Sequence, residues 1–116
     1  MGVWAAVGDR RQVIAVAGEG GFGQYAMEFT TAVRYGMNIT LILLVNDELG
    51  KISKEQRGDM YDVWQTGLTN PDFAEFASNC GGFGVRVSTI EGLDDAIAAG
   101  HDGPAIVQID TDPLLV

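Results

Sequence analysis

Val13-Ile14-Ala15-Val16-Ala17-Gly18-Glu19-Gly20-Gly21-Phe22-Gly23 decides the fold of this chain. Five aliphatic residues in a row, Val13 to Ala17, run without a polar interruption. That pattern belongs to a parallel strand buried on both faces rather than to a half-exposed antiparallel one. The glycine cluster behind it is a strand-to-helix turn. Gln24 to Tyr35 then carries apolar residues at helical spacing (Ala26, Met27, Phe29, Val33), with Gly36 as the stop. A second uninterrupted strand follows at Asn38 to Val45, closed by the turn Asn46-Asp47-Glu48-Leu49-Gly50.

The alternation continues to the end of the chain. Lys51 to Thr66 is polar and mixed, a short helix and a loop. Asn70-Pro71-Asp72 reads as a helix start, with Asn70 as the cap and Pro71 in the first helical position. Phe73, Phe76 and Ala77 supply that helix's apolar stripe, and Gly81-Gly82 ends it. Gly84 to Val87 is a third strand. Ser88-Thr89-Ile90-Glu91 has the spacing of a capping box opening a helix through Ala99, and Ala105 to Asp110 is a fourth strand. Apolar strands alternating with helices predict an α/β domain of three layers, a mostly parallel sheet with helices on both faces. One such domain accounts for all 116 residues.

Composition narrows the function classes. Sixteen acidic residues against seven basic ones leave a net charge of −9, which argues against a nucleic-acid groove. An anionic ligand would have to be held by backbone N–H groups, a helix N-terminus or a metal ion. One cysteine, Cys80, and one histidine, His101, exclude an intrachain disulfide and a His/Cys zinc site. No apolar run reaches the roughly 20 residues of a membrane span. The start, Met1 to Gly8, lacks the basic region and long apolar core of a secretory signal, so the expected compartment is the cytoplasm.

In parallel sheets, ligands bind at the carboxyl ends of the strands. The turns after Ala17 and after Val45 both qualify. Gly18-Glu19-Gly20-Gly21-Phe22-Gly23 matches G-x-G-x-x-G, in which glycines let the backbone approach a ligand and take positive φ. By itself it is either a phosphate-binding turn or a tight strand–helix junction. Glu19 and Asn46 lie 27 positions apart, with one helix and one strand between them. Adjacent parallel strands would bring both turns to the same end of the sheet. A carboxylate, an amide oxygen and a carbonyl there are hard ligands of the kind Mg²⁺ prefers.

These residues resemble the thiamine-diphosphate enzymes of the acetolactate synthase and pyruvate oxidase family, in their C-terminal cofactor-binding domain. The family carries G-D-G, a helix and a strand, then N-N. Here Gly18-Glu19-Gly20 and Val45-Asn46 stand in those places, with Thr31-Ala32-Val33-Arg34-Tyr35-Gly36, Glu48-Leu49-Gly50 and Asp102 to Val107 as matching flanks. The resemblance implies thiamine diphosphate held through Mg²⁺. Glu19, Asn46 and the Glu48 carbonyl would be the metal ligands. Gly18, Gly20, Gly21 and Phe22 would line the diphosphate and pyrimidine side, and Leu49 and Gly50 would border the cofactor beyond the metal. It also implies 2-keto acid decarboxylation as the chemistry of the whole enzyme, and a pyrimidine-binding domain or subunit as partner in a homo- or hetero-oligomer. That partner contributes the glutamate that activates the cofactor, so no residue of this chain is assigned as catalytic. The N-terminal stretch is shorter than the family's, which points to a fragment or a subunit of a split enzyme.

Two departures from the pattern bear on the metal. Glu19 replaces aspartate and carries its carboxylate one methylene farther out, whereas Mg²⁺ demands near-ideal octahedral geometry. Val45 replaces the first asparagine. Two other readings compete. In a dinucleotide-binding module using the same turn, Asp47 or Glu48 would hold the ribose, slightly late for a spacing of about 20 residues. A non-catalytic remnant would keep only the fold.

Several other residues have a bland reading beside a chemical one. Cys80 is a small core residue or a reactive thiol. Asp94 and Asp95 form a solvated helix face. His101 lies at the surface before a turn. Trp4, Tyr61 and Trp64 are stacking platforms or, better, core or interface packing. Lys51 to Arg57 is a lid over the cofactor or an exposed helix with mixed charges.

Overall fold

The computed structural model describes residues 1–98 and 102–115; Ala99 and His101 lie outside the described residues. Four strands, β1 (Val13–Gly18), β2 (Ile39–Val45), β3 (Phe83–Val87) and β4 (Ala105–Asp110), form one sheet in the order β1-β2-β4-β3. Every pairing is parallel, with Ala15 opposite Leu41, Leu41 opposite Ile106 and Gly84 opposite Ile106. The helices are α1 (Gly2–Val7), α2 (Glu19–Gly23), α3 (Glu28–Arg34), α4 (Gly50–Gly58), α5 (Phe73–Asn79) and α6 (Ile90–Ala98). The expected α/β architecture is therefore present.

The register divides the strand residues between two faces. On one face Leu41, Leu43, Val45 and Ile106 pack against Phe29 of α3 and Phe73 and Ala77 of α5, with Ala17, Phe22, Phe76 and the half-buried Cys80 at the margin. Phe22 and Phe73 meet edge to face, ring centres 5.8 Å apart. On the other face Val85, Val87, Val107 and Ile109 are covered by Leu93 and Ala96 of α6. Asp94 and Asp95 point away to solvent. The α6 layer reaches only the β3–β4 half of the sheet. Ile14 and Val16, expected to be buried, are 49% and 65% exposed because β1 is an edge strand and, among the described residues, the helix on that face packs on β3 and β4 instead.

Local boundaries also depart from the sequence reading. The helix expected over 24–35 is confined to α3, and the glycine turn before it carries a short helix of its own, α2, joined to α3 by turns through 24–27. Three glycines in the first five helical residues weaken continuous helix. Phe22 consequently faces the core and Met27 faces solvent. The cap of α5 is Asp72, whose Oδ1 accepts from the Glu75 N–H at 2.8 Å; Asn70 instead donates to Asp47. The cap of α6 is Thr89, accepting from the Gly92 N–H at 3.1 Å; with Gly92 in the third helical position the reciprocal half of the expected box is missing among the described residues. Tyr61 and Trp64 are exposed rather than core residues, and Trp4 is partly buried.

A buried amide locks α5 to the centre of the sheet. Gln108 accepts from the Phe73 N–H at 2.9 Å through Oε1 and donates through Nε2 to Asp110 at 3.0 Å. Arg86 Nε donates to the other Asp110 oxygen at 2.6 Å, and Arg86 also lies 3.7 Å from Asp72. Burial pushes the Asp110 carboxyl up, but the hydrogen bonds from Arg86 and Gln108 and the Arg86 charge outweigh it, leaving a net shift below the ordinary value of 3.8.

Two outcomes are expected. A methyl group on Gly84 would overlap the Ala74 carbonyl of α5, so Gly84→Ala should destabilise by about 1–3 kcal/mol or more in urea unfolding. A carboxyl whose folded pKa is depressed stabilises above its unfolded value, and that contribution disappears as the pH falls through the folded value. Asp110→Asn should therefore lower the plateau of the stability–pH curve above about pH 4 and flatten its acid limb below that, so that wild type and variant converge in acid.

Candidate cofactor site

β1 ends at Gly18, which caps α2 in extended geometry (φ −85°, ψ 156°). None of the glycines in this turn has positive φ; the position that does lies in the second turn, Asp47 at φ 56°. The expected left-handed conformation is thus absent, and the glycines serve space instead. A Cβ on Gly20 would sit 2.7 Å from Leu49 Cδ2, whereas one on Gly18 or Gly21 would meet nothing within 4 Å. Gly20 lets the two turns touch, and Gly18 and Gly21 leave room for something else.

The turns are joined through Glu19. Its side chain is 4% exposed, and Oε1 accepts from the Asn46 N–H at 2.9 Å. Among the described residues no group donates to Oε2. Asn46 Oδ1 accepts from the Glu48 N–H at 3.0 Å, a local side-chain turn that sets the direction of the chain after β2.

A third segment braces the second turn. Leu49 N–H donates to the Thr66 carbonyl at 2.7 Å and Leu68 N–H to the Asp47 carbonyl at 2.8 Å, flanking a bridge between Glu48 and Gly67. Glu48 Oε1 accepts from Arg57 Nη2 and from the Thr66 hydroxyl, each at 3.3 Å. Asn70 donates to Asp47 Oδ1 at 2.8 Å. Asp47 Oδ1 and Glu48 Oε1 are thereby committed to neighbouring protein groups, while Glu48 Oε2 is buried without a hydrogen-bond partner among the described residues.

Between the turns lies a cleft of about 570 Å³ at the carboxyl ends of β1 and β2. It is lined by Gly18, Glu19, Gly20, Gly21, Asn46, Glu48, Leu49 and Gly50, so eight of the nine residues singled out in the sequence meet there. Phe22 does not: its ring packs under the turn against Phe73 and Phe76. The lining also includes Leu44, Lys51, Ile52, Thr111 and Asp112. Lys51 and Ile52 open α4 directly after Gly50. Thr111 and Asp112 leave the carboxyl end of β4, and the Thr111 N–H donates to the Val45 carbonyl at 2.8 Å. The strand-end rule that selected the first two turns reaches this third one once β4 is known to lie beside β2.

The donor set suits a small hard cation. No three His, Cys, Asp or Glu side chains are grouped to hold a metal among the described residues. The expected set is of another kind: one carboxylate, one amide oxygen and one main-chain carbonyl. Glu19 Oε2 has no donor, Asn46 Oδ1 has a second lone pair, and the Glu48 carbonyl accepts no backbone hydrogen bond among the described residues. These oxygens are of the type Mg²⁺ selects.

Residues 1–109 match the family model described as thiamine pyrophosphate enzyme, C-terminal TPP binding domain. The chain belongs to this family. Among its relatives, YdaP of Bacillus subtilis (strain 168), described as thiamine pyrophosphate-containing, is 40% identical over 101 residues, covering 85% of this chain and 18% of that protein. The catabolic acetolactate synthase of Raoultella terrigena is 33% identical over 122 residues, covering 100% of this chain and 22% of the synthase. The crystal structure of benzoylformate decarboxylase from Polynucleobacter necessarius shares the fold with a TM-score of 0.85 at 18% identity, over 95% of this chain and 21% of that one. This TPP-binding domain therefore spans about a fifth of the length of the relatives it matches. No described helix is long and apolar enough to cross a membrane.

The Glu19 bond yields a direct test. Glu19→Ala leaves the Asn46 N–H without its acceptor, which should cost about 1–3 kcal/mol and remove hydrogen-exchange protection at that amide. Thr66→Val should cost less, about 1 kcal/mol, since Arg57 still reaches Glu48.

Proposed function

We propose that this TPP-binding domain holds thiamine diphosphate through Mg²⁺ as the diphosphate-binding part of a 2-keto acid decarboxylating enzyme of the acetolactate synthase or pyruvate oxidase type. The observation that carries the proposal is the convergence of Glu19 and Asn46, 2.9 Å apart at Oε1 and N, on one cleft at the strand ends. Glu19, Asn46 and the Glu48 carbonyl would hold the metal. Gly18, Gly20 and Gly21 would allow the diphosphate to approach main chain, and Leu49 and Gly50 would border it on the other side. Phe22 supports the turn from the core. When bound, the cofactor supplies a carbanion-stabilising ylid.

The chain's own part is to bind and orient. Glu19 is held through Oε1 by the Asn46 N–H, and the Glu48 side chain through Oε1 by Arg57 and Thr66, which would restrain the Glu19 carboxylate and the turn carrying the Glu48 carbonyl before any ligand arrives. That preorganisation reduces the ordering cost of binding. No described residue is placed as an acid or base for the reaction. Activity therefore requires a pyrimidine-binding domain or subunit, in a homo- or hetero-oligomer acting in the cytoplasm. The dinucleotide reading is weakened at its ribose-binding acid: Asp47 is bonded to Asn70 and does not line the cleft, and Glu48 is held through Oε1 by Arg57 and Thr66 with its other oxygen buried.

Calorimetric titration with thiamine diphosphate should show saturable binding that requires Mg²⁺ and is abolished by a chelator. Asn46→Ala should weaken it at least about tenfold, the loss of one charge-assisted contact. Absence of binding at millimolar cofactor, with and without a pyrimidine-domain polypeptide, would sink the proposal, as would metal-independent binding of NAD.

A further inference from the structure

Lys51 is the second residue of α4, directly behind Gly50. For the helix alone this is the wrong end for a cation, because the N-terminus already carries the positive end of the helix dipole. Arg57, in the last turn of the same helix, sits where the dipole favours it. The ion pair Lys51 makes does not offset this: Glu55 lies 4.0 Å away, and the side chains are 86% and 65% exposed. Lysine placed before glutamate is also the weaker order for an i,i+4 pair. Stability of α4 gives no reason for a lysine here.

The cleft does give one. Among the described residues Lys51 is the one cationic residue in a lining that includes Glu19, Glu48 and Asp112. Glu48 is answered by Arg57 at 3.3 Å, but Glu19 and Asp112 make no ion pair among the described residues. A diphosphate carries more negative charge than a single divalent ion can neutralise when that ion already holds a carboxylate. An anion seated between the first turn of α4 and the Lys51 ammonium would turn an unfavourable pairing into two favourable ones.

Resting on the cofactor reading above, we propose that Lys51 is a second cation for the diphosphate, acting beside the metal and confined to the chain's own α4. It binds the non-reacting end of the cofactor, so its contribution is to affinity rather than to chemistry.

The test uses the full chain, as wild type, Lys51→Gln and Lys51→Arg, titrated at fixed Mg²⁺ with thiamine diphosphate and separately with inorganic pyrophosphate. Unliganded melting curves are recorded in parallel. Lys51→Gln should weaken cofactor binding about tenfold, while Lys51→Arg stays within about threefold of wild type. Affinity should fall with added salt more steeply for wild type than for Lys51→Gln. The unliganded Lys51→Gln protein should melt at the wild-type temperature or above it. Equal affinities, or affinity and melting temperature falling together, would overturn the inference and leave the cofactor reading intact. Wild type that binds inorganic pyrophosphate in a Lys51-dependent way but ignores thiamine diphosphate would remove the cofactor reading and keep the anion site. Binding of neither would overturn both.

Discussion

One hydrogen bond, from the Asn46 main-chain N–H to Glu19 Oε1 at 2.9 Å, joins two turns separated by 27 residues. Its strength comes from burial: away from water a carboxyl oxygen accepting from a main-chain N–H holds more firmly than an exposed pair would. It also sets a constraint. Glu19 can reach the Asn46 amide because β1 and β2 are neighbours in register, with Gly18 opposite Leu44, and because Gly20 has no side chain to hold Leu49 away. Everything proposed for the cleft depends on that approach.

The longer side chain at position 19 is absorbed by the local fold. Glu19 is the first residue of α2, and its carboxylate reaches the end of β2 through Oε1 while the residue lines the cleft. Around Asn46, the 66–70 segment supplies two main-chain hydrogen bonds, a hydroxyl and an amide. A turn with positive φ at Asp47 is strained for a residue other than glycine, and this bracing is the kind of surrounding structure that sustains such strain. Val45, where the family has asparagine, contributes to the core instead and leaves the polar work to the residues after it.

The sheet is unevenly covered. One face is closed by phenylalanines from α2, α3 and α5, while the β1–β2 half of the other face is open, with Ile14, Val16 and Leu44 exposed. A continuous aliphatic run marks a strand suited to burial on both sides but does not state what covers it. The same limit applied to Trp64 and Tyr61, whose composition suggested packing and whose position is a surface loop. Strands, their parallel pairing and the two site turns were legible because each leaves a local pattern: apolar runs, glycine clusters and the residues that follow them. Helix starts at Asp72 and Thr89 were displaced by one or two residues, since several neighbouring residues could each cap a helix and only the chain's path selects among them.

The sequence by itself determined the α/β class, the site turns at 18–22 and 46–50, and the family, because short-range periodicity and motif spacing are properties of the chain. Tertiary structure decided that Phe22 turns inward and that Lys51, Ile52, Thr111 and Asp112 join the cleft. It also decided that Gln108, an unremarked polar residue in a strand, locks α5 to the sheet. The physical reason is common to all of them. Each depends on which strands are neighbours and how far a side chain reaches across the gap between elements, and no local pattern in the chain carries those distances.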